Sequence, residues 1–191
     1  MALRIRNLQW PPRALGLGPP LNAMLFSADR RRSLRKSALE SAALGAGAAL
    51  IVMAIDHYFF DGLTARQTPE WSEHPAPAMR LVIAFTGALF EEIVFRVIVA
   101  TTVATVLWLV LRRITASSAV QISQWAGTIS AATWIALWHV GMAGDPARII
   151  TINAVGNILY GWIYWRRGLE SAVVAHATVT SILFLGFPFI A

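Results

Sequence analysis

Two adjacent carboxylates, followed four residues later by a guanidinium, stand inside an otherwise apolar run: Glu91, Glu92 and Arg96 within Ala78–Leu111. Placing such a group at the centre of a bilayer costs about 2.5–3.5 kcal/mol on insertion scales. Glu92 and Arg96 are spaced i, i+4, so on a helix they share a face and can pair, which offsets part of both costs. Glu91, about 100° around the helix, points elsewhere and has no local cation. A carboxylate so placed can take a proton from water, the task of a general base. The structural alternative is a buried ion pair that fixes helix packing, with the second glutamate solvated in a crevice.

Two histidines also fall inside apolar stretches: His139 in Trp134–Val140, and His176 in Ala172–Thr180, with Thr180 one turn further on the same face. A lone intramembrane histidine is usually a hydrogen-bonding strut between helices. Two of them beside an unpaired glutamate point to a site. By donor type, a glutamate with two histidines is also a zinc ligand set. His57, near a helix end, and His74, in a loop, read as solvated surface residues. Asn153, Asn157 and Gly161 follow at i, i+4 and i+8. That stripe lets another helix approach closely; packing is its favoured role, and a substrate-facing amide is the sharper alternative.

These side chains need elements to position them. Of 191 residues, 57% are apolar and 14% charged, against roughly 45–50% and 25% in ordinary soluble domains. The chain has no cysteine, which excludes a disulfide framework, a Cys-ligated zinc site and a thiol nucleophile. Five apolar stretches follow one another: 38–60, 78–111, 122–142, 149–165 and 169–190. Each is near the ~20 residues that cross ~30 Å of hydrocarbon. The second would be about 50 Å long if straight, so it must tilt, kink or run on beyond the bilayer. No long-period repeat and no two-residue alternation is present, which argues against a solenoid or a barrel. The fold is therefore expected to be all-α, a polytopic membrane bundle of about five transmembrane helices over 37–191. A basic, proline-containing arm precedes it over 1–36.

A net charge of +6 and a pI near 11.0 would suit a nucleic-acid partner, but the distribution of charge does not. Eight of the sixteen basic residues lie in the arm. With the amino terminus cytoplasmic, Arg112, Arg113, Arg166 and Arg167 join them inside. Only Arg66, Arg80 and Arg148 fall outside, and Arg96 lies within a helix. This is a positive-inside pattern facing anionic lipid. It puts the carboxyl terminus on the opposite side and leaves no role for nucleic acid. The arm lacks the apolar core and cleavage site of a signal peptide. It is expected to be unprocessed and partly disordered, with a short surface helix at Leu21–Phe26. Counting helical rise through a 30 Å slab puts Glu91 and His176 about 10 Å from the cytoplasmic face, but His139 about 25 Å from it. The third helix is thus expected to start near Gly127, to tilt strongly, or to lie at the interface over Ser117–Trp125.

The run Glu91-Glu92-Ile93-Val94-Phe95-Arg96 resembles the EExxxR motif of the CPBP family, membrane proteases that include the eukaryotic CAAX prenyl endopeptidase. Trp134–His139 resembles that family's FxxxH motif, with Ile135 where phenylalanine is usual. Gly156–Thr180 is similar to its third region, which ends in HxxxN, with Thr180 in place of the asparagine. The resemblance covers roughly Ala78–Thr180 and implies a membrane-embedded, glutamic-type endopeptidase that needs no metal or other cofactor. It implies that Glu91 is the general base, acting on a water also held by His139. It further implies that His176 with Thr180, or Asn157 in its place, stabilises the oxyanion, and that Glu92 and Arg96 form a structural pair. The implied partner is a membrane-anchored protein or peptide, such as a carboxy-terminal sorting tail. Two other readings share these residues. One is a zinc-dependent membrane protease. The other is a non-enzymatic scaffold, immunity factor or proton-coupled transporter module, although the absence of inverted repeats argues against transport.

Overall fold

Prolines and glycines punctuate the chain into helical rods, which a computed structural model describes over residues 28–60, 76–114, 118–140 and 145–186. The first rod is α1 (Ala28–Phe59). The second is one continuous rod in three parts: α2 (Pro77–Glu92), a π-helical segment (Ile93–Ala100) and α3 (Thr101–Leu111). Then come α4 (Ala119–Val140), α5 (Pro146–Arg167) and α6 (Leu169–Gly186). No strand occurs among the described residues. The chain is an all-α membrane helical bundle.

Local chemistry sets the ends. Pro77 opens α2 and Pro146 opens α5, each at a position whose N–H would be unsatisfied anyway. Asp145 caps α5 by accepting the Ala147 N–H at 3.0 Å. Gly168, at φ +96°, ends α5 in the left-handed region that glycine enters without steric cost. Leu169 begins α6 directly after it. The first helix was expected to start at Ala38 but starts at Ala28, so residues 28–36 of the arm are helical. The arm's four prolines all lie at or before Pro20, and nothing after them breaks a helix. The surface helix expected at Leu21–Phe26, His74 and Arg66 lie outside the described residues.

By length and composition, Arg35–Phe59 and Pro77–Leu111 are the two helices among the described residues that suffice to cross a membrane. The other rods carry polar side chains inward. Asp56 of α1 and Arg148 of α5 form a buried ion pair, so Arg148 is not a solvated loop residue as its charge suggested. Arg80 is likewise within α2 and donates to the Phe184 carbonyl at 3.1 Å. At the other end of α1 and α5, Arg167 donates to Glu40 at 2.8 Å. His57 is exposed, as expected.

The α6 helix packs against α1, α2 and α5, while α4 packs against α5, α3 and the π segment. Small residues fill these seams: Ala49, Ala100, Ala104, Ala131, Ala172 and Ala175 are fully buried. Large ones such as Leu50, Phe85, Phe90, Ile98 and Trp134 face outward. Lipid tails are as apolar as leucine, so helices here gain by close backbone approach rather than by burying bulk. Gly127 shows how close. A Cβ built on it would lie 2.4 Å from the Ala100 carbonyl oxygen. Gly127→Ala should therefore lower the Tm of the detergent-solubilised protein by several degrees, since overpacking costs about 1–3 kcal/mol. Gly87→Ala, where a Cβ meets nothing within 4 Å, should leave Tm unchanged or slightly raised. Equal Tm values for the two variants would contradict this seam.

Candidate functional site

The two glutamates end α2 just before the backbone widens into π turns. Wide turns of this kind are rare and gather at functional sites. Thr101 accompanies the return to α geometry: its Oγ1 donates to the Arg96 carbonyl at 2.9 Å and shares a hydrogen bond with the Tyr164 hydroxyl at 2.8 Å.

Glu92 and Arg96 pair as their spacing required, with Nε donating to Oε2 at 3.0 Å. Both are sealed, at 1% and 0% exposure. Two charges removed from water need every available partner. Glu92 uses its second oxygen, Oε1, to accept from His176 Nδ1 at 3.0 Å. Arg96 Nη2 donates to Asn157 Oδ1, and Asn157 Nδ2 donates onward to the Asn153 carbonyl at 2.9 Å. The amide stripe on α5 is thus the far end of an ionic clamp. Asn157 is 2% exposed, with Oδ1 and one Nδ2 proton engaged in the clamp. Gly161, the third member of the stripe, packs against Thr128 of α4, as close approach predicted.

Glu91 turns away from this clamp. Its Oε1 lies 3.8 Å from His139 Nε2 and its Oε2 lies 3.8 Å from His176 Nε2. Glu91 and His139 retain about a quarter of their exposure, at 25% and 27%, so the trio is reachable where the clamp is not. The other nitrogen of each imidazole is fixed by an acceptor: Ile135 carbonyl at 2.9 Å for His139 Nδ1, Glu92 for His176 Nδ1. Both rings therefore carry a proton on Nδ1 and direct Nε2 toward Glu91. Thr180 Oγ1 donates back to the His176 carbonyl at 3.2 Å, as threonines within helices commonly do.

The depth count does not keep His139 from Glu91: His139 Nε2 lies 3.8 Å from Glu91 Oε1. Glu91 lies twenty residues before the end of α3 and His139 twenty residues after the start of α4. Measured from their common turn, both stand roughly 30 Å up. The slab count went astray by measuring Glu91 from the outer end of a rod longer than the hydrocarbon. No late start near Gly127 is needed.

Sequence reasoning missed Tyr160. It is 3% exposed and stacks on His176 with ring centroids 4.5 Å apart and planes 15° from parallel. The two residues lie eight positions either side of Gly168, so the hairpin brings them level. A tyrosine on the polar stripe of an apolar helix was the available signal, since buried tyrosines carry a hydroxyl that needs a place.

A helical bundle with an apolar outer surface, holding a reachable carboxylate between two oriented imidazoles, has the makings of a membrane-embedded hydrolase. A family model described as type II CAAX prenyl endopeptidase Rce1-like matches residues 73–182, more than half of the chain, and the chain belongs to that family. No curated protein and no solved structure matches it. Membership makes the chain a membrane protease of the CAAX endopeptidase type that acts on membrane-associated peptide, in agreement with the resemblance carried by its motifs.

The clamp gives a direct test. Asn157→Leu keeps bulk but leaves a buried guanidinium short of an acceptor, a loss of about 1–3 kcal/mol for a neutral group and more for a charged one. It should lower the Tm more than Asn153→Leu, which removes a donor to the helix's own carbonyl. The reverse order would remove Asn157 from the clamp.

Proposed function

We propose that the chain hydrolyses a peptide bond by a glutamate-activated water, without a metal. The observation that carries this is the paired 3.8 Å spacing of the Glu91 oxygens from two imidazole Nε2 atoms. That spacing is too long for a direct hydrogen bond and suited to one water touching both groups. In this reading Glu91 accepts a proton from the water while His139 Nε2 accepts a hydrogen bond from it. The oxygen then attacks the scissile carbonyl. His176 donates from Nε2 to the developing oxyanion, with Glu92 behind Nδ1. The proton on Glu91 passes to the departing amide nitrogen as the C–N bond breaks. Thr180 spends its proton on its own helix, which supports His176 as the main oxyanion donor. Glu92, Arg96 and Asn157 hold the arrangement without touching substrate.

The same residues offer zinc ligands by type. Tetrahedral zinc with bonds near 2.0–2.1 Å brings its ligand atoms to roughly 3.4 Å from one another; the observed separations are wider. No group of three such side chains among the described residues is close enough to share an ion. The geometry favours water over metal. The substrate we propose is a peptide segment of a membrane-anchored protein, a hydrophobic carboxy-terminal tail being the form that presents a backbone at this depth.

Glu91→Gln should lower kcat on an internally quenched peptide with a hydrophobic tail by about 10²–10⁴-fold at unchanged Tm. Turnover at the wild-type rate would sink the base assignment. Prolonged chelation followed by metal analysis should leave turnover unchanged, whereas loss on chelation with rescue by zinc would establish the metal version.

A further inference from the structure

A hollow of about 360 Å³ opens between α4 and α5, away from Glu91. Two stripes run into it. On α4, exposed Ile129 and Trp125 lead to Gln121 at four-residue steps; on α5, exposed Ile158 and half-buried Trp162 lead to Arg166 at the same steps. The two helices are antiparallel, so both stripes pass from aliphatic to indole to polar toward one end of the bundle. That is the order in which a membrane changes from chain to interface to headgroup.

The polar end is a collection of donors. Arg166 is exposed, and its guanidinium lies 5.8 Å from the Trp162 ring centre, its one recorded contact among the described residues. The Gln121 amide and the indole N–H groups of Trp125 and Trp162 have no hydrogen-bond partner among the described residues. No carboxylate lines the hollow. Its floor is rigid, because Trp165 Nε1 donates to Thr128 Oγ1 at 3.0 Å and both are buried. Donors with no carboxylate beside them, set over an aromatic platform and below an aliphatic track, match a phosphate that carries acyl chains.

We propose that this hollow is a binding site for one anionic phospholipid, with the phosphate on Arg166 and Gln121, the glycerol against Trp125 and Trp162, and the chains along Ile129 and Ile158. It goes beyond the protease reading and does not depend on it. The site would place a fixed lipid at the α4–α5 seam, the same seam on which Gly161 meets Thr128.

Native mass spectrometry of the full chain tests this, with dioleoylphosphatidylglycerol or dioleoylphosphatidylcholine added at equal mole fraction. Phosphatidylglycerol should be retained preferentially, and Arg166→Gln should reduce its retention about fivefold, the weight of one basic residue at a lipid surface. Arg113→Gln removes the same charge from an exposed position at the same end but outside the hollow, and should change nothing. Trp162→Leu, which keeps apolar bulk without the aromatic platform, should behave like Arg166→Gln. Equal retention of the two lipids, or equal losses in Arg166→Gln and Arg113→Gln, would overturn the site in favour of diffuse surface attraction. Displacement of phosphatidylglycerol by millimolar inorganic phosphate would overturn the lipid as occupant.

Discussion

The structure turns on one carboxylate that water does not reach. Glu92 gives one oxygen to Arg96 and the other to His176, and Arg96 reaches on to Asn157. Through these bonds a single buried anion joins α2, the π segment, α5 and α6. An ion pair cut off from water stabilises only when its remaining lone pairs and protons are matched. Both Glu92 oxygens and the Arg96 Nε and Nη2 groups are matched here, while the buried Arg96 Nη1 finds no acceptor. His176 owes its ring orientation to this chain of contacts and to the Tyr160 face behind it. The reachable trio therefore inherits its geometry from a sealed one.

That division explains why two neighbouring glutamates behave so differently. Glu92 is committed on both oxygens and excluded from solvent, while Glu91 is a quarter exposed and faces imidazole nitrogens across gaps wide enough for water. A single step of helical rotation separates the sealed group from the reachable one. The surrounding bundle supports this by keeping its seams tight with alanine and glycine and turning its bulk outward. The interior is thereby left with room for polar contacts that a leucine-filled core would crowd out.

Much of this was legible in the residues. The five rods follow from uninterrupted apolar stretches, and the Glu92–Arg96 pair from an i, i+4 spacing that any helix places on one face. The separation of Glu91 follows from the same angle. Other features were out of reach because they depend on distances between rods. The partner of Asn157 lies sixty-one residues away in sequence, and that of Asp56 ninety-two. The wide turns after Glu92 leave no mark in composition, since Ile93–Ala100 reads as ordinary apolar helix. The level of His139 was misjudged because a slab of fixed thickness was used as the ruler. The rods are referenced to the turns that join them.

One consequence follows from the shortness of the reversal at Gly168. A single residue joins α5 to α6, leaving no slack for one to slide along the other. The two behave as a stiff fork whose tines carry Asn157 and Tyr160 on one side and His176 on the other. Glu92 and Arg96 tie α2 and the π segment to this fork, so Glu91 and His176 keep one register.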